Sequence, residues 1–267
     1  MGSLRPIAWQ IEELDEVPST QDVARQLAEE GAPEGTVVVA SSQLQGRGRG
    51  GRTWSSPRGG LYMSLVLRPP IHPNAQLLSL VGALSVVLGL KSSTGIGSAI
   101  RWPNDVVING RKIAGVIVEA NYVGQKLSCA IVGIGVNCNS KPSIKDLPES
   151  DATSLTEELH RPIEVTRVRA GILETLQSVY TRWLEGADVV REAEGFIGTL
   201  GMRVRVSPKS GAGLTCDAIG LTASGALIVA SAGKRVLLNA EDVERLKEIG
   251  PADARPRISN SRGGSEQ

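Results

Sequence analysis

The sequence predicts an α+β fold, in which a mixed β-sheet flanked by helices is followed by a small C-terminal β-barrel. Apolar residues recur at helical spacing after Ser19 and again from Thr166 to Gly198. Between these two stretches, β-branched runs alternate with glycine-rich turns, which is typical of strands. After Gly201 the pattern changes to short β-rich pieces separated by Gly and Ser, a spacing that suits a small barrel.

The first elements are predicted to be a helix and two strands. The segment STQD (residues 19–22) is a typical helix start, an apolar face follows over residues 23–28, and Gly31 supplies a stop. The runs GTVVVASSQ (35–43) and GLYMSLVLRP (60–69) predict strands on either side of a Gly/Arg segment. Asn74 is placed to cap a long helix that extends to about Lys91.

The segment IRWPNDVVINGRKIAGVIVEA (100–120) predicts a hairpin, because two β-branched runs are joined by Asn109-Gly110. This residue pair tolerates the positive φ angles of a two-residue turn. A further strand is predicted over KLSCAIVGIGVNCN (126–139), and a helical stretch follows from Thr166 to Gly198.

Four β-rich pieces in the C-terminal part predict the barrel: MRVRVS (202–207), GLTCDAIGLT (213–222), GALIVAS (225–231) and KRVLLNAEDVERL (234–246). The predicted domain boundaries are 1–200 for the main domain and 201–249 for the barrel. The remaining residues, 250–267, are rich in Pro, Gly and Ser and have little to bury, so they are predicted to be a disordered tail.

Composition restricts the possible chemistry. The net charge of the 267 residues is +1, which provides no global field for nucleic acid or an acidic membrane. The three cysteines show no paired spacing and the two histidines lie in loop-like contexts, so a zinc site or a histidine-based triad is not expected. The N-terminus lacks the pattern of a signal peptide, and no apolar run reaches membrane-spanning length, so we expect a cytoplasmic protein without membrane contact.

The segment QLQGRGRGGRTW (43–54) concentrates four glycines and three arginines in this nearly neutral chain. A dinucleotide-binding loop is excluded because a strand rather than a helix follows, and the kinase and Walker A patterns lack their partner motifs. Glycines allow backbone N–H groups to approach an anion, and arginines bind its oxygens in a two-pronged manner. The pattern favours a phosphate-binding loop, and a solvated glycine turn is the alternative.

The predicted hairpin places Asp105 and Lys112 as diagonal neighbours on one face, about 7–8 Å apart at the backbone. Such a pair could hold Mg²⁺ and an acyl or phosphoryl oxygen, respectively. A cross-strand salt bridge on a solvated face is the simpler alternative.

The motifs GRGRGGRTW, RWPNDVVINGRKIAGVIVE and GIGVNCN, in this order and spacing, closely resemble those of the biotin protein ligases. The early STQD is similar to their Ser-Thr-containing biotin loop, and the resemblance runs from about Val17 to Leu246. It implies that residues 1–200 form a catalytic biotin- and ATP-binding domain related to class II aminoacyl-tRNA synthetases. It also implies that the barrel is of the Src-homology-3-like type.

The resemblance further implies a reaction in two steps. Biotin and MgATP form biotinyl-5′-adenylate and pyrophosphate, and a lysine of a biotin carboxyl carrier protein domain then takes the biotin as an amide. The acceptor is expected to belong to acetyl-CoA carboxylase or another biotin-dependent carboxylase. The monofunctional form without a DNA-binding domain is expected, because fewer than twenty residues precede Ser19.

Site residues follow from the resemblance position by position. The catalytic residues are expected to be Lys112, Arg49 and Asp105. The biotin-binding set is expected to be Ser19, Thr20, Gln21, Gln43, Arg47, Gly48, Arg49, Lys112, Gly115 and Gly135. The set for ATP and the adenylate is expected to be Arg47, Arg49, Arg52, Trp54, Asn104, Asp105, Lys112 and Asn137, with Asp105 and Asn104 as the magnesium ligands. Gln21 stands where the family usually has Asn.

Two other functions stay open at this point. Lipoate or octanoate transfer is the alternative within the related fold, although the Gly/Arg loop and the Trp-Pro-Asn-Asp run favour biotin. Nucleic-acid binding through the Gly/Arg segment and the barrel is the alternative from another class, and the low net charge argues against it. A homodimer is possible, and three roles stay open for the barrel: it docks the carrier domain, it completes the active-site wall, or it only stabilises the chain.

Overall fold

The computed structural model of the chain describes residues 7–69, 75–123, 126–140 and 151–252. The described residues form two compact units, one within residues 1–198 together with 223–225 and one within residues 199–222 and from 226 onward. The predicted cap Asn74 and the predicted tail from residue 253 onward lie outside the described residues.

The first unit contains seven strands and five helices within its described part. The strands are β1 (Gln10–Val17), β2 (Thr36–Gln43), β3 (Leu61–Leu67), β4 (Ala99–Arg101), β5 (Asp105–Ile108), β6 (Arg111–Val123) and β7 (Lys126–Val136). The helices are α1 (Thr20–Glu29), α2 (Ala75–Thr94), α3 (Leu155–Leu159), α4 (Val165–Leu184) and α5 (Val189–Glu194). The sheet order is β1-β2-β3-β7-β6-β5-β4. Only the β1–β2 pair in this list is parallel, so the sheet is mixed as predicted.

Helices cover both faces of this sheet. The small apolar face of α1, Ala24 and Ala28, packs on Val38, Val66 and Ile131. Side chains alternate between the two faces along a strand, so Gly133 and Gly135 lie on the same face of β7 as Ile131. This face, with α1 at one end, carries the candidate site.

Helix α2 packs on the opposite face, where Gly82 lies against Val116 of β6 and Gly89 lies against Ile172 of α4. The stretch Leu77–Thr94 has a mean hydropathy of 1.6 and is long enough to cross a membrane. Val81, Leu84 and Leu90 within it are at most 1% exposed, however, which identifies α2 as the central core helix of this unit.

The predicted hairpin is present with its predicted turn. Asn109 and Gly110 both have positive φ, at 51° and 75°, and Ile108 pairs with Arg111 and Val107 with Lys112. The regular register then breaks, because Ile113 is an extra residue and Asp105 pairs with Gly115. The sequence does not predict this β-bulge.

Two other features differ from the expectations. The helical stretch predicted from Thr166 to Gly198 is two helices, α4 and α5, because the chain turns at Gly186 with a φ of 93°. Strand β1, which the sequence pattern did not indicate, pairs along the outer side of β2.

The second unit is a five-stranded antiparallel sheet, which agrees with the small β-domain that the sequence predicts. Its strands are β8 (Met202–Pro208), β9 (Leu214–Leu221), β10 (Leu227–Ser231), β11 (Lys234–Leu238) and β12 (Val243–Pro251), in the order β11-β10-β9-β8-β12. Val204, Val206, Ala218 and Val229 are at most 1% exposed and form its interior.

Candidate active site

Three glycines form the floor of the candidate site. Gly115 of β6 pairs with Gly135 of β7, and Gly133 lies two residues earlier on the same face. A Cβ atom at Gly135 would lie 2.6 Å from Nε1 of Trp54, and a Cβ at Gly115 would lie 3.1 Å from Cζ3 of the same indole. The missing side chains therefore leave room for groups that lie directly on the backbone of the two strands. We name Gly115, Gly133 and Gly135 the glycine floor.

The Gly/Arg segment folds over this floor as a closed loop. The backbone N–H of Trp54 donates to the Gly46 carbonyl at 2.8 Å, and that of Gly48 donates to the Arg52 carbonyl at 2.7 Å. Gly50 and Gly51 turn the chain with φ of 70° and 75°, values that favour glycine. The loop is thus a short, internally bonded hairpin that places Trp54 on the floor.

Lys112 and Asp105 meet at one end of the floor. Nζ of Lys112 lies 2.5 Å from Oδ1 of Asp105 and 4.9 Å from the centre of the Trp54 ring. It also lies 3.3 Å from the position of a Cβ at Gly115. Asp105 and Lys112 meet although Ile113 interrupts the register between them, so the predicted proximity is present together with the salt bridge.

Positive charge exceeds negative charge at this end. Oδ2 of Asp105 accepts from Arg101 at 3.2 Å in addition to the Lys112 contact. Burial opposes the ionised form of Asp105, but Lys112 and Arg101 together outweigh it and hold the pKa of this carboxyl below its ordinary value. Burial lowers the pKa of Arg49, and the charge of Asp105 partly offsets this effect. Arginine stays cationic at any physiological pH, so Arg49 adds a further positive charge beside Asp105.

Polar side chains from α1, β2 and β3 meet at the other end. Oε1 of Gln43 accepts from the backbone N–H of Thr20 at 2.8 Å and from its hydroxyl at 3.1 Å. The Thr20 hydroxyl also lies 2.8 Å from that of Ser64, and Nε2 of Gln43 donates to Ser56 at 2.8 Å. Ser19, which is buried, precedes α1 as its N-cap residue without a capping side-chain bond.

Arg47 is anchored by two carboxylates. Its guanidinium lies 2.7 Å from Oδ1 of Asp22 on α1 and 3.4 Å from Oε1 of Glu119 on β6. Arg25 pairs with the same two carboxylates. This network ties the loop to the helix and the sheet at once.

The side chains of two predicted nucleotide-binding residues donate hydrogen bonds to backbone carbonyls. Nδ2 of Asn104 donates to the Val116 carbonyl at 2.7 Å, and Nδ2 of Asn137 donates to the Thr153 carbonyl at 2.9 Å. The backbone N–H of Asn137 also donates to Ile113, the extra residue of the bulge. Both asparagines therefore support the strands that carry Asp105 and Lys112. Arg52 lies at the exposed rim of the loop.

The residues present do not fit a magnesium site held by the protein alone. Both carboxylate oxygens of Asp105 contact cationic side chains, and the Nδ2 donor of Asn104 binds the Val116 carbonyl, which leaves its Oδ1 as a single neutral oxygen for a metal. Among the described residues, no group of three or more His, Cys, Asp or Glu side chains could hold a metal ion. The geometry gives no support to the prediction that Asp105 and Asn104 bind magnesium.

Three buried polar atoms around the site lack a hydrogen-bond partner. Six such side-chain atoms occur in the described part of the chain, and Oε1 of Gln21, Nε of Arg47 and Nε1 of Trp54 are three of them. Buried polar groups in folded proteins are nearly always paired. Their clustering here indicates a place where a ligand supplies the missing donors and acceptors.

Comparison with known proteins agrees with this geometry. A model of the Biotin/lipoate A/B protein ligase family matches residues 14–137. A biotin protein ligase from Aquifex aeolicus, solved in complex with biotin and ATP, is 30% identical and superposes with a TM-score of 0.76. The superposition covers 90% of this chain and 99% of that chain.

The chain belongs to the biotin/lipoate A/B protein ligase family. Its predicted resemblance to the biotin protein ligases is thereby confirmed.

Two curated relatives give the same family. The bifunctional ligase/repressor BirA of Bacillus subtilis (strain 168) is 42% identical over 166 residues, which are 60% of this chain and 49% of that relative. The chain thus spans about half the length of this relative. The biotin–[acetyl-CoA-carboxylase] ligase of Mycobacterium tuberculosis (strain ATCC 25618 / H37Rv) is 28% identical over 221 residues, which are 80% of both proteins.

Sequence reasoning missed several residues of this family member's site. Asp22 and Glu119 act through ion pairs with Arg47, which lies far from both in the chain, so no local pattern indicates them. Arg101 faces its partner Asp105 across the neighbouring strands β4 and β5, four residues further on, and was missed although the pair is local. Gly133 had a usable signal, because it precedes Gly135 by two residues in a predicted strand and must share its face.

Proposed function

We propose that this family member is a biotin protein ligase, which activates biotin with ATP to biotinyl-5′-adenylate and transfers it to a lysine of a carrier domain. The observation that carries the proposal is the ammonium of Lys112, which Asp105 holds against the glycine floor beneath the Gly/Arg loop. The biotin and ATP bound by the Aquifex aeolicus relative and the name of the Mycobacterium tuberculosis relative support the same reaction.

In the proposed first step, a carboxylate oxygen of biotin attacks the α-phosphorus of ATP, and pyrophosphate leaves. The two reactants are both anions, so positive charge must be in place before they can approach. Lys112 and Arg49 supply it at one end of the floor. Because the pKa of Asp105 is low, this carboxylate stays ionised and keeps the ammonium of Lys112 oriented.

The side chains predicted to contact the biotin ring lie at the polar end of the glycine floor, opposite Lys112. We propose that Thr20, Gln43 and Ser19 surround the ureido ring, while Gly115 and Gly135 allow the ligand and the Trp54 indole to lie side by side against the backbone. Arg47 and Gly48 would cover the acyl-phosphate together with Arg49. Asn104 and Asn137 would act by supporting the strands beneath the nucleotide. We expect Mg²⁺ to enter with ATP, on whose phosphate oxygens it binds in most such sites.

In the proposed second step, the amine of an acceptor lysine attacks the acyl carbon, an amide forms, and AMP leaves. The adenylate is a mixed anhydride that water hydrolyses, so it must be shielded until the acceptor arrives. The closed loop from Gly46 to Trp54, tied down by Arg47 through Asp22 and Glu119, is suited to this protection.

The proposed partner is a biotin carboxyl carrier protein domain, as the names of the relatives indicate. We expect the reaction to take place in the cytoplasm without nucleic acid or membrane. A homodimer and a docking role for the C-terminal unit stay predictions.

The decisive experiment is biotin-dependent exchange between ATP and pyrophosphate with the purified chain and Mg²⁺. Exchange that requires biotin and that lipoate does not replace supports the first step, and streptavidin detection of a modified carrier domain tests the second. Lys112→Ala is the loss variant, and Lys247→Ala, an exposed lysine of β12, is the matched control. A folded wild-type chain without any exchange would refute the proposal.

A further inference from the structure

Lys112 lies at a point of β6 that the neighbouring strand β7 does not reach. The two strands pair from Ala114 onward, where Ala114 is opposite Val136, the last residue of β7. Beside Lys112 the place of β7 is taken by a later segment of the chain, because Ala152 forms a parallel bridge with Lys112. The backbone N–H of Thr153 donates to the Lys112 carbonyl at 2.9 Å. The position of Lys112 therefore depends on residues that follow the sheet in the chain.

The carboxylate of Glu158 joins this later segment to the hairpin. Its side chain is only 8% exposed. Its Oε1 accepts from Nη2 of Arg111 at 2.6 Å and from the hydroxyl of Thr153 at 2.7 Å. Arg111 directly precedes Lys112, and Thr153 is the residue that binds the Lys112 carbonyl. One buried carboxylate thus holds the backbone of Lys112 through the residue before it and through the residue beside it.

Glu158 is itself held in place by the end of β7. It belongs to the short helix α3, and the backbone N–H of Leu155 at the start of this helix donates to the Asn137 carbonyl at 2.9 Å. The next N–H, that of Thr156, donates to the Cys138 carbonyl at 2.9 Å. Asn137 and Cys138 directly follow β7, so α3 is bound to the end of this strand. Glu158 therefore links the end of β7 to the part of β6 that carries Lys112.

The hairpin that carries Lys112 requires such a link. Its turn residues, Asn109 and Gly110, are exposed, and exposed loop tips open more readily than the body of a sheet. Lys112 follows Gly110 by only two residues, yet its ammonium has to meet two reacting anions in a defined geometry. A reacting group misplaced by about 1 Å costs about 10²-fold in rate. A side chain that fixes the hairpin end therefore affects the rate without contact with the reactants.

We propose that Glu158 is a positioning residue of this enzyme: through Arg111 and Thr153, it holds the backbone of Lys112 where the ammonium meets the glycine floor. The inference rests on the proposed function and deepens it, since it adds a residue that acts on the reaction only through another. If the effect of Glu158 passes through Lys112, it contributes to the rate only in a chain that contains Lys112.

The test is a double-mutant cycle on the rate of adenylate formation from biotin and ATP in a single turnover. Glu158→Ala removes both hydrogen bonds, and the substitution is made in the wild-type chain and in Lys112→Ala. Glu174→Ala, at an exposed glutamate of α4, is the matched control. The rate, the Kd of biotin and the melting temperature are measured for every chain.

In the wild-type chain, we expect Glu158→Ala to slow adenylate formation by about 10- to 100-fold, as a misplacement of up to about 1 Å does. The Kd of biotin should stay nearly the same, because the ring is bound at the other end of the floor. In the Lys112→Ala chain, the same substitution should cause almost no further loss of rate. The control Glu174→Ala should leave the rate unchanged in both chains.

Two milder variants replace Glu158→Ala if the alanine variant does not fold. Glu158→Gln keeps the shape of the side chain and removes the charge that Arg111 binds, whereas Thr153→Val removes the hydroxyl at nearly constant volume. Each weakens one of the two links, so each should show a smaller loss of rate with the same dependence on Lys112.

Two results would overturn the proposal. One is an undiminished rate in a folded Glu158→Ala chain. The other is a loss by the same factor with and without Lys112, because a residue that merely stabilises the fold lowers both rates alike. A folded wild-type chain that forms no adenylate would instead refute the proposed function itself.

Discussion

The contact between Gly135 and Trp54 gives a quantitative test of the glycine floor. In Gly135→Ala, the new Cβ would lie 2.6 Å from Nε1, 2.7 Å from Cε2 and 3.0 Å from Cζ2 of the indole, where ordinary contacts begin at 3.4 Å. Strand β7 is paired on both sides at this position, with Tyr62 and with Gly115, so the backbone has little freedom to move. The indole must therefore move by about 0.8 Å, the shortfall of the closest contact.

This displacement affects the chemistry more than the stability. When the Trp54 ring moves, the ammonium of Lys112 that lies over it loses its position. A reacting group misplaced by about 1 Å costs about 10²-fold in rate. Because the indole is only half-buried, we expect the free energy of unfolding to fall by no more than about 1–3 kcal/mol. Gly115→Ala, whose closest contact would be 3.1 Å, should lose clearly less activity.

The assay is single-turnover formation of the adenylate from biotin and ATP, measured beside the melting temperature. Gly97→Ala is the matched control, because its Cβ would meet no atom within 4 Å and its φ is not positive. An undiminished rate in Gly135→Ala, or an equal loss in the Gly97→Ala control, would refute the reasoning that Trp54 must lie on this floor.

The remaining predictions concern the charged residues. Lys112→Ala should reduce adenylate formation by at least about 10²-fold while circular dichroism stays unchanged, since one electrostatic contact to the transition state is lost; full activity would remove Lys112 from the mechanism. Arg49→Gly should release the adenylate into solution faster, which a trapping assay measures, and undiminished retention would contradict the closed-loop model. The pKa of Asp105 is lowered, so its ionised form stabilises the fold above the ordinary carboxyl pKa of about 3.9. The difference in melting temperature between wild type and Asp105→Asn should accordingly be constant from pH 5 to 8 and shrink below about pH 4; a constant difference at pH 3 would contradict this.

Local sequence patterns were sufficient to predict those parts of the fold that a single short segment determines. Asn109-Gly110 determines the turn, and the pairing of Ile108 with Arg111 follows directly from a two-residue loop. The start of α1 is likewise determined locally, by Ser19 at the N-cap position. The site residues Asp105 and Lys112 could be placed together for the same reason, since they flank this turn.

Features that depend on distant partners could not be predicted. Strand β1 is acidic and largely exposed, so it lacks an apolar pattern, and its pairing with β2 decides its structure. The carbonyl of Ile113 at the bulge accepts from the backbone N–H of Asn137, the residue after β7, which lies more than twenty residues away in the chain. The ion pairs of Arg47 with Asp22 and Glu119 likewise join three separate elements.

Three buried polar atoms around the candidate site have no hydrogen-bond partner in the described part of the chain. Each buried group without a partner costs about 1–3 kcal/mol, and Gln21, Arg47 and Trp54 each contribute one such atom. A fold selected for stability alone would pair these atoms or replace them with apolar groups. Their persistence on one face, beside three glycines that leave the backbone open, indicates that the site is built around a ligand that carries both hydrogen-bond donors and acceptors. Ligand binding should therefore rigidify the loop and raise the melting temperature by more than the contact area alone would give, because it satisfies groups that the free chain leaves unpaired.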